Sequence, residues 1–377
     1  MGAILRLLLL CVACAVPALA AQDTSCATCK DRGMVACRLC ASKTCESERG
    51  FERCSLAQGC GDCGGVRWLE CEACARKPEL DIGTQRAELA AWRETKRPID
   101  EFLARRDILH VDSAHFRLAF DLKRSPFKAA SGPHEAAHRL LDLCERSRAE
   151  FVEDSGVQAA DLVGVTQLFV WGSEKDQEKA SSKWTLERSN SVAKLMGPAP
   201  VISLCHGKGR VRDESDLEHE LVHQLAHCLL SNAYKSVWLG GKKAGWVDEG
   251  YAHFCEQRRT GSVQVWCSLT DQALAKLEPW RFEAEVARGV ADGEVIELGA
   301  LSGLDTVALS PRQRLFAWSY VDCVIRSHPG RLGALVRVLQ QEKPTSEAIQ
   351  TALSVSLADF QLGWTTWVKA TYAARKR

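Results

Sequence analysis

His219 and His223 stand four positions apart, with Glu220 directly after the first, in the run Asp213 to Asn232. Positions four apart share one face of an α-helix, so both imidazoles can reach a single metal ion. A carboxylate beside that pair can take a proton from metal-bound water, which makes His219, Glu220 and His223 a candidate centre for metal-assisted hydrolysis. Ser215 and Glu218 have the spacing of a capping box that opens the helix. His227 extends the same face one turn further on and reads as core or as support for the ligands, with ligation as the alternative. A second helix is expected around Asp248. There Asp248 reads as a cap or a solvent-facing residue, Tyr251 as packing, and His253 as a group that orients a ligand.

The second run reads Gly245-Trp246-Val247-Asp248-Glu249-Gly250-Tyr251-Ala252. H-E-x-x-H followed by W-x-x-E-G-x-A resembles the gluzincin peptidases, in particular the peptidase-MA-like proteins and the aminopeptidase N-type enzymes. The resemblance spans roughly residues 110–372. It implies a zincin-like body in which Glu249, 26 positions after His223, is the third zinc ligand and Glu256 a supporting acid. It implies Glu220 as general base and a peptide or protein as substrate. The family's oxyanion-stabilising Tyr would fall at Phe316, a departure, and Tyr320 one turn on is the expected replacement. The Gly-x-Met-x-Asn strand of the exopeptidases is absent, so endopeptidase activity is the default. Ala226 and Leu229 stand where a metzincin would have Gly and His, which excludes that branch.

Cysteine supplies a second kind of chemistry. Of 18 in the chain, ten lie between Cys26 and Cys74. They include four Cys-x-x-Cys knuckles: Cys26 with Cys29, Cys37 with Cys40, Cys60 with Cys63, and Cys71 with Cys74. Seven residues separate each outer knuckle from its inner neighbour and nineteen separate the inner two. That spacing suits a nested pairing in which two tetrathiolate sites each hold Zn²⁺. The order resembles the Cys-rich zinc domain of DnaJ-type chaperones, with shorter gaps. Export argues instead for disulfides, so zinc and disulfides both stay open for this head. Cys45 and Cys54 would pair across the long loop, and Cys228 with Cys255 would bridge the two motif helices.

Residues 1–20 carry Arg6, an apolar run from Leu7 to Val16, and Ala18-Leu19-Ala20, which reads as a secretory signal cleaved after Ala20. A lipoprotein acylated at Cys14 is the weaker version. The expected location is secreted or periplasmic. No later stretch is long and apolar enough to span a bilayer. Lys+Arg 49 against Asp+Glu 48 over 377 residues leaves no excess charge for polyanion binding, so nucleic acid is not an expected partner.

These pieces must be held by four segments: the signal at 1–20, the Cys-rich module at 21–78, a helical connector at 79–109 broken by Pro98, and the body at 110–377. Strands are expected at 115–120, 165–171 and 200–204. Helices are expected at 134–153, 216–231, 247–259, 312–327, 330–341, 345–353 and 357–373. A small sheet followed by helices makes the class α+β. The competing reading is a non-catalytic secreted protein that uses the Cys-rich head for partners and a zinc-bound body as scaffold. The intact Glu220 argues against it.

Overall fold

Phe116, Leu118 and Phe120 pack with the long helix that follows them, whereas the intervening Ala119 packs on the other side with Phe169 and Trp171. Side chains two apart on a strand share a face, so this sheet is buried on both sides. The computed structural model describes residues 25–38, 53–54, 62, 66, 68–74, 76–79, 81–105, 107–130, 132–162, 164–207, 209–233, 239–267 and 281–374. The expected signal at 1–20 and Cys40, Cys45, Cys60 and Cys63 lie outside them.

In chain order the strands are β1 (Met34–Ala36), β2 (Arg53–Cys54), β3 (Trp68–Glu70), β4 (Leu109–Asp112), β5 (Phe116–Asp121), β6 (Thr166–Trp171), β7 (Val192–Leu195) and β8 (Val201–Cys205). β1 and β3 form a small antiparallel pair in the head. The other six form one sheet in the order β2-β4-β5-β6-β8-β7, parallel from β5 through β6 to β8 and antiparallel at both margins.

The helices are α1 (Ile82–Glu94), α2 (Arg97–Leu103), α3 (Pro133–Ser155), α4 (Glu174–Trp184), α5 (Glu214–Asn232), α6 (Gly245–Thr260), α7 (Phe282–Asp292), α8 (Leu298–Leu301), α9 (Pro311–Ser327), α10 (Leu332–Gln340), α11 (Thr345–Leu353) and α12 (Leu357–Ala374). α3 and α5 share the core with one sheet face; α2 and α4 cover the other. The architecture is mixed α and β, with a small sheet preceding a helical half, compatible with the α+β class.

Two expectations need correction. The connector is helical and broken at Pro98 as expected, into α1 and α2, because Pro98 belongs in a first turn and cannot continue a helix. Its far end is not linker, since the 109/110 boundary falls inside β4. That strand pairs with β5 and also with Arg53–Cys54 of the Cys-rich region, so the head contributes an edge to the body's sheet. The cap of α5 sits two residues earlier than Ser215: Asp213 accepts from the amide of Asp216 at 3.0 Å. Strand β7 and helices α4, α7 and α8 lie outside the elements expected for the body, and α4 occupies the polar stretch after β6.

The motif glycine has a packing reason. α6 crosses α9 so closely that a Cβ on Gly250 would lie 2.6 Å from the carbonyl oxygen of Ala317. Only a glycine permits that approach, and it sets Glu249 against the face of α9 that carries Arg314.

Candidate metal centre

α5 delivers three histidines on one face, at positions 219, 223 and 227, and all three are buried. α6 packs beside it and delivers Asp248, Glu249, His253 and Glu256, each fully buried. The ion-pairing carboxylates of α6 fix the imidazoles of α5. Oε1 of Glu256 lies 2.7 Å from Nδ1 of His219, and Oε2 lies 3.2 Å from Nδ1 of His223. Oδ1 of Asp248 lies 2.7 Å from Nδ1 of His227. Asp248 is thus neither a cap nor solvent-facing; Thr306 donates to its other oxygen at 2.7 Å.

Burial opposes ionisation of Glu256, but hydrogen bonds from His219 and His223 hold its carboxyl below the usual range. An ionised carboxylate only accepts, so each Nδ1 donates and each neutral ring keeps a lone pair on Nε2. The consequence is acute for His223 and His227, whose Nε2 atoms face one another at 3.2 Å. Two lone pairs at that separation repel unless a cation or a proton lies between them.

Two further donors point to the same place. Sγ of Cys267 is 3.3 Å from Nε2 of His223 and 3.5 Å from Nε2 of His227. Oε2 of Glu249 is 3.5 Å from Nε2 of His227 and 4.0 Å from Nε2 of His223. That oxygen is buried and accepts no hydrogen bond among the described residues. Tetrahedral zinc with bonds of about 2.0–2.3 Å has donor–donor edges of roughly 3.3–3.8 Å, close to the spacings here. Donor types, spacings and the orphaned oxygen all fit a divalent metal held by His223, His227, Glu249 and Cys267.

The charges around this group are arranged to keep it anionic. Burial would raise the Glu249 carboxyl, yet Arg314, whose Nη1 donates to Oε1 at 2.6 Å, holds it well below its ordinary value. Burial and Glu249 would likewise raise the Cys267 thiol. The charge of Lys194, at 3.7 Å from the sulphur, draws it below the usual thiol range.

His223 and Glu249 therefore sit where the motifs place them. His219, expected as a ligand, is not one of the four donors: its Nε2 lies 3.4 Å from the hydroxyl of Ser262 and its Nδ1 is held by Glu256, and His227, expected as core or support, stands in its place. Glu220 is buried next to the ligands. Gln224 donates to its Oε1 at 2.6 Å, and burial raises its carboxyl above the ordinary range. Tyr320 is engaged elsewhere. Its hydroxyl donates to the carbonyl of Ile296 at 2.9 Å, it bonds Gln361, and its ring packs on Trp364. The candidate oxyanion donor is thus spoken for by α12, because the α9 face that carries it turns away from Glu249. Phe316 packs against Trp364 as well. Tyr251 donates to Asp154 at 3.1 Å and packs on Phe151, as expected of a core residue.

Cys267 and Arg314 lie in neither motif, and no spacing rule connects them to the histidines. Their type was the one available signal: a cysteine just past a ligand helix, and an arginine on an otherwise apolar face of α9. Cys228 and Cys255 are separate buried thiols, not a bridge between the helices.

In the head, Cys26, Cys29, Cys71 and Cys74 come together, joining the first knuckle to the fourth as the nested pairing requires. Sγ atoms of Cys26 and Cys71 are 3.8 Å apart, and those of Cys29 and Cys74 are 3.5 Å apart. A disulfide needs about 2.05 Å; a zinc tetrathiolate has edges of about 3.8 Å. The Cys29 amide lowers the Cys26 thiol to about 6, while desolvation and the neighbouring thiols push Cys74 up to about 12. Cys37 is buried nearby in sequence, and its three expected partners lie outside the described residues.

No protein-family model matches the chain, and no curated protein does.

Proposed function

We propose that the chain is an exported zinc-dependent peptidase, with His219, His223 and Glu249 as the working ligands, Glu220 as the base, and a peptide or protein as substrate. One observation carries this reading: a single buried carboxylate, Glu256, takes the Nδ1 protons of both motif histidines and leaves both Nε2 atoms as donors. Such pairing is costly to build into a core and has no evident role in packing alone.

Zinc bound there would supply Lewis acidity toward water and toward a scissile carbonyl. The rest falls to the protein. Glu220 accepts the proton of the attacking water at its carboxylate and returns it to the leaving nitrogen; a carboxyl raised by burial is suited to both transfers. Arg314 keeps Glu249 ionised and fixed. A cleft of about 650 Å³ bordered by His206, Glu218 and Thr260 offers an approach, since Thr260 Oγ1 lies 3.4 Å from His219. The head contributes a structural zinc at Cys26, Cys29, Cys71 and Cys74.

The scaffold reading has an observation of its own. His223, His227, Glu249 and Cys267 are four donors, which leaves no open position, as in structural sites. In that set the residue after the first histidine is Gln224, an amide that cannot serve as a base. Metal analysis of the full chain beside cleavage of a broad peptide library, with and without chelator, separates the two. Zinc present with chelator-sensitive cleavage supports the peptidase; zinc present with no cleavage supports the scaffold.

A further inference from the structure

We propose that Cys267 is a resident metal ligand that keeps the site closed: with His223, His227 and Glu249 it makes a four-donor resting set. The open set of His219, His223 and Glu249 is then reached only when Cys267 withdraws. The first half stands on the geometry alone; the second rests on the peptidase reading.

Two independent observations point to the ligand. The sulphur lies within 3.5 Å of two imidazole nitrogens whose protons are committed to the opposite side of each ring. Separately, Oε2 of Glu249 is fully buried, accepts no hydrogen bond among the described residues and is aimed into the same space.

The backbone explains how the thiol is delivered. α6 ends at Gly261, whose φ of +79° lets the chain reverse. The returning segment is pinned by Glu256, whose Oε1 accepts the amides of Gln264 at 2.6 Å and Val265 at 3.0 Å. Arg210 then donates to the carbonyl of Trp266 at 2.8 Å. Glu256 therefore holds both the motif histidines and the strap that carries Cys267. Lys194, on β7, offers the thiolate a counter-charge at 3.7 Å and is itself tied to Gln224 at 2.7 Å.

This chemistry has a functional sense. A thiolate is a strong ligand for zinc, and one in the fourth position denies it to water and substrate. Loss of the sulphur, by substitution or by alkylation once it is displaced, would leave His223, His227 and Glu249 in place with one position open, and the working set is complete when His219 then takes the place of His227.

The test uses the full chain loaded with ¹¹³Cd²⁺ as a spectroscopic probe, since its resonance moves strongly with the number of thiolate ligands. The head site, with four sulphurs, and the body site, with one, give separate signals. Cys267→Ser should move the body signal alone, and in the zinc-loaded chain should raise turnover of a casein-derived peptide library at least severalfold. Cys267→Ala provides a second variant should serine still coordinate. A body signal unmoved in both variants overturns the proposal. A moved signal with equal, measurable turnover in wild type and variants overturns the closing role. A moved signal with no cleavage by any of them confirms Cys267 as ligand and sinks the peptidase reading instead. Residue-resolved alkylation gives an independent check: Cys267 should react faster after chelation, and equal rates with and without metal contradict coordination.

Discussion

Arg314 donates to Glu249 at 2.6 Å between α9 and α6, with both side chains buried, and it engages one carboxylate oxygen while the other accepts no hydrogen bond among the described residues. The guanidinium also reaches the carbonyls of Leu309 and Thr306, so it is fixed on three sides. It neutralises Glu249 whenever the metal is away. Arg314→Leu should therefore destabilise the metal-free chain by about 3–5 kcal/mol, the usual cost of a buried charge left unpaired. Zinc should recover much of that loss, because a cation on Oε2 replaces the missing charge. Urea unfolding with and without zinc checks this; a loss that zinc does not change would mean that Glu249 is not a ligand.

Glu256→Gln should leave the body able to bind metal but about 10–100-fold more weakly, as losses of such supporting carboxylates generally do. The amide cannot accept from both rings and from the returning backbone with the same strength. Competition against a chromophoric chelator measures the shift. Unchanged affinity would show that the His219 and His223 rings are fixed by other contacts.

Glu145 gives a pH-dependent test away from the metal. Burial opposes its ionisation, yet the hydroxyl of Ser113 and the ring and amide of His115 depress its carboxyl. A carboxyl lowered on folding contributes stability above its unfolded value, and that contribution is lost as pH falls through the folded value. Glu145→Gln should cost about 1–2 kcal/mol near neutral pH, with the gap to wild type narrowing below about pH 4. A gap that is constant with pH would contradict the assignment.

How much of this was legible in the sequence follows from how local each feature is. The helices that carry His219, His223 and Glu249 were readable within two residues, because a four-residue spacing is a property of one helix. The first-to-fourth knuckle pairing was readable from the equal gaps around Cys26 and Cys74. Cys267 was not, since it reaches the site only because Gly261 reverses the chain. Arg314 was not, because it meets Glu249 through a helix crossing that Gly250 permits. The role of His227 depended on Asp248, and nothing short of the packing of α5 on α6 shows that the two meet in the core rather than in water. Tyr320 illustrates the converse: its place in the helix was right, but α12 claims its hydroxyl.

The central claim is that Glu220 performs proton transfer at a metal site built from α5 and α6. The most direct measurement compares wild type and Glu220→Gln, as full chains, for zinc content and for peptide-library cleavage with and without chelator. The account predicts equal zinc in both proteins, chelator-sensitive cleavage by wild type, and a loss of several orders of magnitude in the variant. Undiminished cleavage by Glu220→Gln, or wild-type cleavage indifferent to zinc removal, would contradict it.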